Sequence, residues 1–193
     1  VGCQGGELSI QLADLFEVEV TGIDSEPSSI DLAKANAKRS TYLGNVTFNV
    51  SEVISAKNLP DNGFDLVIHR GLEGFVKDKN EFQLKVASLA KRWGYVANIS
   101  HTYEGQYDKS IIEKLNKAGS MFIEPASRAD LIQSYKAVGL RLVGELYFDV
   151  TSSAAPDLGD SEAAKRVKEV LALAAENDKY TSGAVLIFRS QPS

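Results

Sequence analysis

The opening residues Val1-Gly2-Cys3-Gln4-Gly5-Gly6-Glu7 constrain the chain more than any other stretch. Followed by the periodic run Leu8 to Phe16, they read as the end of a strand, a glycine turn and the start of a helix. Gly2, Gly5 and Gly6 let the backbone take positive φ and approach a ligand closely. The helix turns its unpaired N–H groups back toward the same place, which makes a socket for the polar part of a small cofactor. A second signal is Val18-Glu19-Val20-Thr21-Gly22-Ile23-Asp24, a short β-type run ending in an acid. That acid falls about twenty residues after the first glycine, the spacing at which a carboxylate accepts hydrogen bonds from ribose hydroxyls. The glycines alone fit an ordinary strand–helix turn equally well, and Asp24 favours the socket. An NAD-binding Rossmann domain requires G-x-G-x-x-G, which Gly2-Cys3-Gln4-Gly5-Gly6-Glu7 does not supply.

These residues resemble the class I S-adenosylmethionine-dependent methyltransferases. The first motif of that family runs acid, any residue, Gly, small, Gly, any, Gly. Gly2 and Gly6 match its outer glycines and Cys3 its small position, while Gln4 replaces the middle glycine. Asp24 matches the family's ribose-binding acid. The resemblance implies an α/β fold: a doubly wound, mostly parallel, seven-stranded sheet with an antiparallel last strand. It implies S-adenosylmethionine as cofactor and a small-molecule methyl acceptor. It also implies a central first strand cut short at Val1, with the rest of that strand and a helix expected before it. Residues 1–193 read as one domain, with no repeat or linker dividing them.

The rest of the chain follows the same pattern. Glu7 to Phe16 is expected to be a helix with Leu8, Leu12 and Leu15 on its inner face. Glu26-Pro27 opens a second helix, buried through Ile30, Ala33 and Ala37 and stopped at Gly44. Val46 to Val50 alternates as a strand. Phe64 to Ile68 is short, apolar and bounded by turn residues, as a strand buried on both faces should be. Asn80 to Trp93 has helical spacing through Phe82, Val86, Leu89, Ala90 and Trp93, and Tyr95 to Ser100 is the next strand. Helices are expected over Tyr107 to Ala118, from Ser127 to Gly139, and over Ser161 to Glu176, with strands over Leu140 to Val150 and Gly183 to Arg189. This ending resembles the family's closing hairpin, whose last strand slots in antiparallel between the fifth and sixth.

Composition bounds the partners. Net charge is −5, which gives no counterion-release drive toward nucleic acid. The single cysteine, Cys3, excludes an internal disulfide and a cysteine-cluster metal site. No apolar run reaches membrane-span length and no signal peptide is visible. A cytoplasmic protein with no membrane partner and no metal is expected, and its oligomeric state is not readable.

Gly2–Gly6, Asp24, Ser51–Glu52, His69–Gly71 and His101–Tyr103 all follow the carboxyl ends of expected parallel strands, the edge where open α/β sheets bind ligands. By the resemblance, Gly2, Cys3, Gln4, Gly5 and Gly6 pass under the methionine and ribose. Asp24 with Ser25 holds the ribose, and Ser51, Glu52 and Val53 border the adenine. His69, Arg70 and Gly71 border the methyl end. Methyl transfer from a sulfonium needs chiefly in-line positioning, and a general base only where the nucleophile carries a proton. His69, His101 and Tyr103 are the candidates for that base, with Glu73 a further candidate or a rim residue. Arg70 is placed to pair with a carboxylate of cofactor or substrate. The alternative is an inactive methyltransferase-like domain that binds the cofactor or a partner, and a nicotinamide-dependent reductase is a third reading.

Overall fold

Helical and β-type spacing alternate along the sequence, and the folded chain follows that alternation. The computed structural model describes residues 1–39, 45–103, 109–117, 127–148, 165 and 181–191. Helix α1 spans Glu7–Phe16, the expected bounds, entered from Gly6 and left through Glu17 in left-handed conformations. Its inner face is not the expected leucine stripe. Ala13 is fully buried and Ile10 packs beside Ile30, Ala33 and Phe48, while Leu15 and Phe16 are exposed. The cause is close approach: a Cβ at Gly6 would lie 2.7 Å from the Phe48 ring and 2.9 Å from Ala33.

Strand β1 (Val20–Asp24) pairs in parallel with β2 (Val46–Val50), Asp24 lying opposite Val50. The crossover carries α2 (Pro27–Ala37), with Pro27 in its first turn and the Glu26 carboxylate accepting from the Ser28 N–H. Ile30 and Ala33 are buried as expected, and the Gly44 stop lies outside the described residues.

Strand β3 runs Phe64–Arg70, two residues beyond the expected Ile68, and a 3₁₀ turn, Leu72–Gly74, follows it. Helix α3 (Lys79–Leu89) is capped by Asp78, which accepts from the Glu81 N–H at 2.8 Å. It stops short of the expected Trp93. The Ser88 and Leu89 carbonyls accept instead from Asn62 and Gly63 of the preceding loop, which ends the helix there. Strand β4 therefore begins early and spans Ala90–Tyr103. Trp93 is not a core residue: it is exposed, has φ +66°, and lies under the Arg189 guanidinium.

Helix α4 spans Lys109–Lys117 and α5 spans Arg128–Ala137. Ser127 caps α5 by accepting from the Asp130 N–H, and its hydroxyl bonds the Asp130 carboxylate at 2.7 Å. Gly139, at φ +86°, turns the chain into β5 (Leu140–Phe148). Strand β6 (Thr181–Ser190) lies antiparallel between β4 and β5, as the closing hairpin requires. The expected helix Ser161–Glu176 lies outside the described residues, Lys165 apart.

The architecture is α/β with parallel and antiparallel pairs. Among the described residues, the expected seven-stranded sheet appears as a two-stranded sheet, β1-β2, and a four-stranded sheet in the order β3-β4-β6-β5. Val1–Cys3 lies between them. The Val1 amino group donates to the Ile68 carbonyl at 2.7 Å, and the Cys3 N–H donates to the Ile23 carbonyl at 3.0 Å. These two bonds reach one sheet each. The main core lies on the face of the larger sheet covered by α3 and α5, where Val67, Val96 and Phe188 meet Phe82, Leu131 and Tyr135. Among the described residues, no helix is long and apolar enough to cross a membrane.

Candidate functional site

The opening bend is held in an unusual conformation. Gly2 and Gly6 have φ +65° and +80°, and Gln4 takes φ +48°. Gln4 thus adopts the left-handed conformation a glycine would supply at lower cost. The Gly6 N–H closes the turn on the Cys3 carbonyl at 2.9 Å, and Asn36 of α2 donates its amide to the Gly5 carbonyl at 2.9 Å. Gly6 offers no side-chain cap, so the first N–H groups of α1 remain directed at the bend.

Asp24 faces this bend. Its Oδ2 accepts from the Gln4 N–H at 2.9 Å and its Oδ1 from the Glu26 N–H at 3.0 Å. Each carboxylate oxygen accepts more than one hydrogen bond, so both keep capacity for further donors. The end of β2 is tied to the same point by the Ser51 N–H, which donates to the Asp24 carbonyl at 2.8 Å. Ser25 and Glu52 are exposed beside it, and Val53 is buried in the main core.

Arg70, at the end of β3, donates to the Gln4 side-chain oxygen at 2.9 Å. The bond uses one of the five guanidinium N–H donors. Gly71 is fixed by its N–H to the Ile99 carbonyl at 2.9 Å, and at φ +56° a Cβ there would meet nothing within 4 Å. Leu72 then packs back on the bend, its Cδ2 lying 2.9 Å from where a Gly2 Cβ would be. The structure thus gathers Gly2–Gly6, Asp24, Ser51 and Arg70–Gly71 at one edge. Cys3 is not activated there: burial, then the nearby Asp24 charge, pushes its thiol above the usual range.

His69 does not lie on the open edge as expected. β3 continues through it, and alternation turns its side chain inward, beside Val67, where it is fully buried. Its ring meets the edge of Phe82 at 5.2 Å and stacks on Tyr135. Its Nε2 lies 2.7 Å from the Tyr135 hydroxyl, which donates to Glu73 Oε1 at 2.6 Å. Asn98 donates to the same Glu73 oxygen at 2.7 Å. Burial lowers the His69 pKa, Glu73 working against that effect. Burial, then the Glu73 charge, raises the Tyr135 pKa well above its ordinary value. Asn98 and Tyr135 are functional-cluster residues that the sequence motifs do not single out. The available signal was a polar residue on the inward side of each neighbouring strand, His69 opposite Asn98 in register.

His101 and Tyr103 lie within β4 rather than beyond it, paired with Gly183 and Thr181, and their side chains are outside the described residues. Among the described residues, no cluster of three or more His, Cys, Asp or Glu side chains is arranged to hold a metal ion.

A family model described as "Methyltransferase domain" matches residues 1–175. The chain belongs to this methyltransferase-domain family. The expected family, with S-adenosylmethionine as its cofactor, is met at that level. A curated relative, ajmaline N-methyltransferase of Rauvolfia serpentina, is 24% identical over 103 residues, 53% of this chain. The matched region spans only 35% of that protein's length. Among solved structures, the MccD protein superposes with a TM-score of 0.84 at 16% identity, over 98% of this chain and 87% of its own. Phosphoethanolamine N-methyltransferase 2 of Haemonchus contortus, solved with S-adenosyl-L-methionine, has a TM-score of 0.76 at 15% identity. That match covers all of this chain and 47% of the other. At those identities, the two structures establish a shared methyltransferase fold.

Proposed function

We propose that this chain is an S-adenosylmethionine-dependent methyltransferase acting on a small-molecule acceptor. The observation carrying the reading is the Asp24 carboxylate paired across the bend with the Gln4 N–H, with lone pairs remaining on both oxygens. Those lone pairs suit ribose hydroxyls. Gly2 to Gly6 pass under the sugar and amino-acid portions, and Ser51 and Glu52, with Ser25 and Val53 beside them, border the base. Arg70 and the uncapped α1 start supply positive character for a carboxylate. The substitution Gln4 leaves the bend intact, because its side chain turns out to Arg70. When bound, S-adenosylmethionine supplies a methyl group already activated on a sulfonium. The protein's part is to fix the acceptor in line and exclude water. The ajmaline and phosphoethanolamine relatives act on small molecules by name, and the net charge of −5 favours the same class over nucleic acid.

The two sheets are read as halves of one seven-stranded sheet meeting at Val1–Cys3, with residues 1–193 as a single domain. Calorimetry with S-adenosylmethionine and S-adenosylhomocysteine tests the function. Both are expected to bind, and NAD is not. Binding of neither adenosyl compound by the folded protein would overturn the reading.

A further inference from the structure

Gln4 occupies the bend at a cost. It holds φ +48°, a left-handed conformation that Gly2 and Gly6 adopt freely. The residue is exposed, so burial of its side chain does not offset the strain. Its side chain makes one hydrogen bond among the described residues, accepting from the Arg70 guanidinium at 2.9 Å. Strain kept on a residue of that kind points to a function for the side chain it carries.

The same residue donates its backbone N–H to Asp24, also at 2.9 Å. Gln4 thus stands between two opposite charges, a carboxylate at the end of β1 and a guanidinium at the end of β3. The backbone around Arg70 is fixed. Arg70 lies opposite Ile99 of β4, and the Gly71 N–H that follows donates to the Ile99 carbonyl at 2.9 Å. The long Arg70 side chain is exposed beyond that point, and Gln4 is what fixes its direction. Among the described residues Arg70 forms no ion pair, whereas Lys85, Lys91 and Arg128 each meet an acid. One of its five N–H donors is engaged by Gln4, so four remain on an oriented fork. A planar guanidinium in that state takes a carboxylate through two parallel hydrogen bonds.

We infer that Arg70 receives the carboxylate of the adenosyl amino acid, and that Gln4 is the positioning residue that holds the guanidinium for it. The inference rests on the methyl-transfer reading above, and it commits the Arg70 charge to the cofactor rather than to the acceptor. S-adenosylmethionine offers ribose hydroxyls as donors and an amino-acid carboxylate as acceptor. Asp24 and Arg70 match those two groups in kind, and Gln4 binds both residues. Glutamine in place of a motif glycine therefore exchanges an unstrained backbone for a fixed cation.

The test is calorimetry on the full chain with S-adenosylhomocysteine and with decarboxylated S-adenosylhomocysteine, which keeps the amine and lacks only the carboxylate. Wild-type protein is expected to prefer S-adenosylhomocysteine by at least about tenfold, the worth of a hydrogen-bonded charge. Arg70→Gln is expected to abolish that preference. Gln4→Gly is expected to reduce it by about fivefold. Gln4→Glu keeps a partner for Arg70 but neutralises it, and is expected to reduce the preference as much. Adding Gln4→Gly to Arg70→Gln is expected to change nothing further, because Gln4 acts through Arg70. A contact that merely tied β3 to the bend would lower the urea midpoint of these variants and leave the preference intact. Equal affinities in wild type, a preference that survives Arg70→Gln or Gln4→Glu, or a further loss in the double variant overturns the inference. Wild type and Gln4→Glu decide it if Arg70→Gln does not fold. Failure of both compounds to bind folded wild-type protein instead sinks the methyl-transfer reading, and this inference with it.

Discussion

Asp24 accepts a hydrogen bond at 2.9 Å from the backbone N–H of Gln4, twenty positions earlier in the chain. The contact ties the end of β1 to the bend and sets the Asp24 carboxylate against it. Asp24→Ala removes this bond, the bond from Glu26 and the proposed ribose anchor together. A hydrogen bond to a charged group contributes about 1.5–3 kcal/mol, so affinity for S-adenosylhomocysteine should fall roughly 10- to 100-fold. Asp24→Asn keeps one oxygen for Gln4 and should lose less. Calorimetry reads both, and unchanged affinity in Asp24→Ala would remove Asp24 from the site.

Gly6 and Gly71 both have positive φ, but they differ in surroundings. At Gly6 a Cβ would press on Phe48 and Ala33, whereas at Gly71 it would meet nothing within 4 Å. Gly6→Ala should therefore incur both backbone strain and overpacking, roughly 2–4 kcal/mol. Gly71→Ala should incur strain alone, about 1–2 kcal/mol. Urea denaturation of the two variants gives the comparison. Equal losses would mean that the close seat of α1 on α2 and β2 is not what demands Gly6.

The elements legible in the sequence are those whose limits are set locally. Val46–Val50 alternates and ends at a turn, and α1 lies between Gly6 and Glu17, so both were read to the residue. Trp93 was misread because helical spacing continues through Ala90, while α3 is stopped by two N–H groups arriving from Asn62 and Gly63, a tertiary event. The site divides in the same way. Gly2–Gly6 and Asp24 carry their chemistry in a short motif, and they meet as expected. The His69 cluster draws on β3, a 3₁₀ turn, β4 and α5, and nothing in sequence spacing announces that Glu73 and Tyr135 meet His69. A histidine in the inward register of an apolar strand was the one local clue.

Burial of His69 gives stability a defined pH dependence. Its folded pKa lies below the ordinary 6.5, because burial outweighs the opposing charge of Glu73. Tyr135 faces it as a neutral hydroxyl. The unfolded chain therefore binds a proton that the folded chain resists. This contribution is fully present above about pH 6.5 and is lost as pH falls toward the folded pKa, with a slope of at most about 1.4 kcal/mol per pH unit. Urea midpoints measured between about pH 5 and 7 should fall on the acid side, and His69→Gln should flatten that fall. An identical slope in the variant would assign the acid loss to other groups.

Tyr135→Phe isolates one hydroxyl from a buried ring. The ring packs on Phe188 at a centroid distance of 4.5 Å, and phenylalanine keeps that contact, so no cavity opens. What is lost is the hydroxyl bonded to His69 Nε2 at 2.7 Å and one of the two donors on Glu73 Oε1. A buried group left without its partner costs about 1–3 kcal/mol, and the variant should be destabilised by that amount with its urea m-value unchanged. Tyr135→Ala also removes the ring and should cost more, on the order of 3–5 kcal/mol. The diagnostic lies in the imidazole. Without the Tyr135 oxygen nothing holds the proton on Nε2, so His69 should show both tautomers in its ¹⁵N spectrum where the parent shows one. A single unchanged tautomer in Tyr135→Phe would mean that Glu73, 3.5 Å from Nε2, fixes the proton by itself.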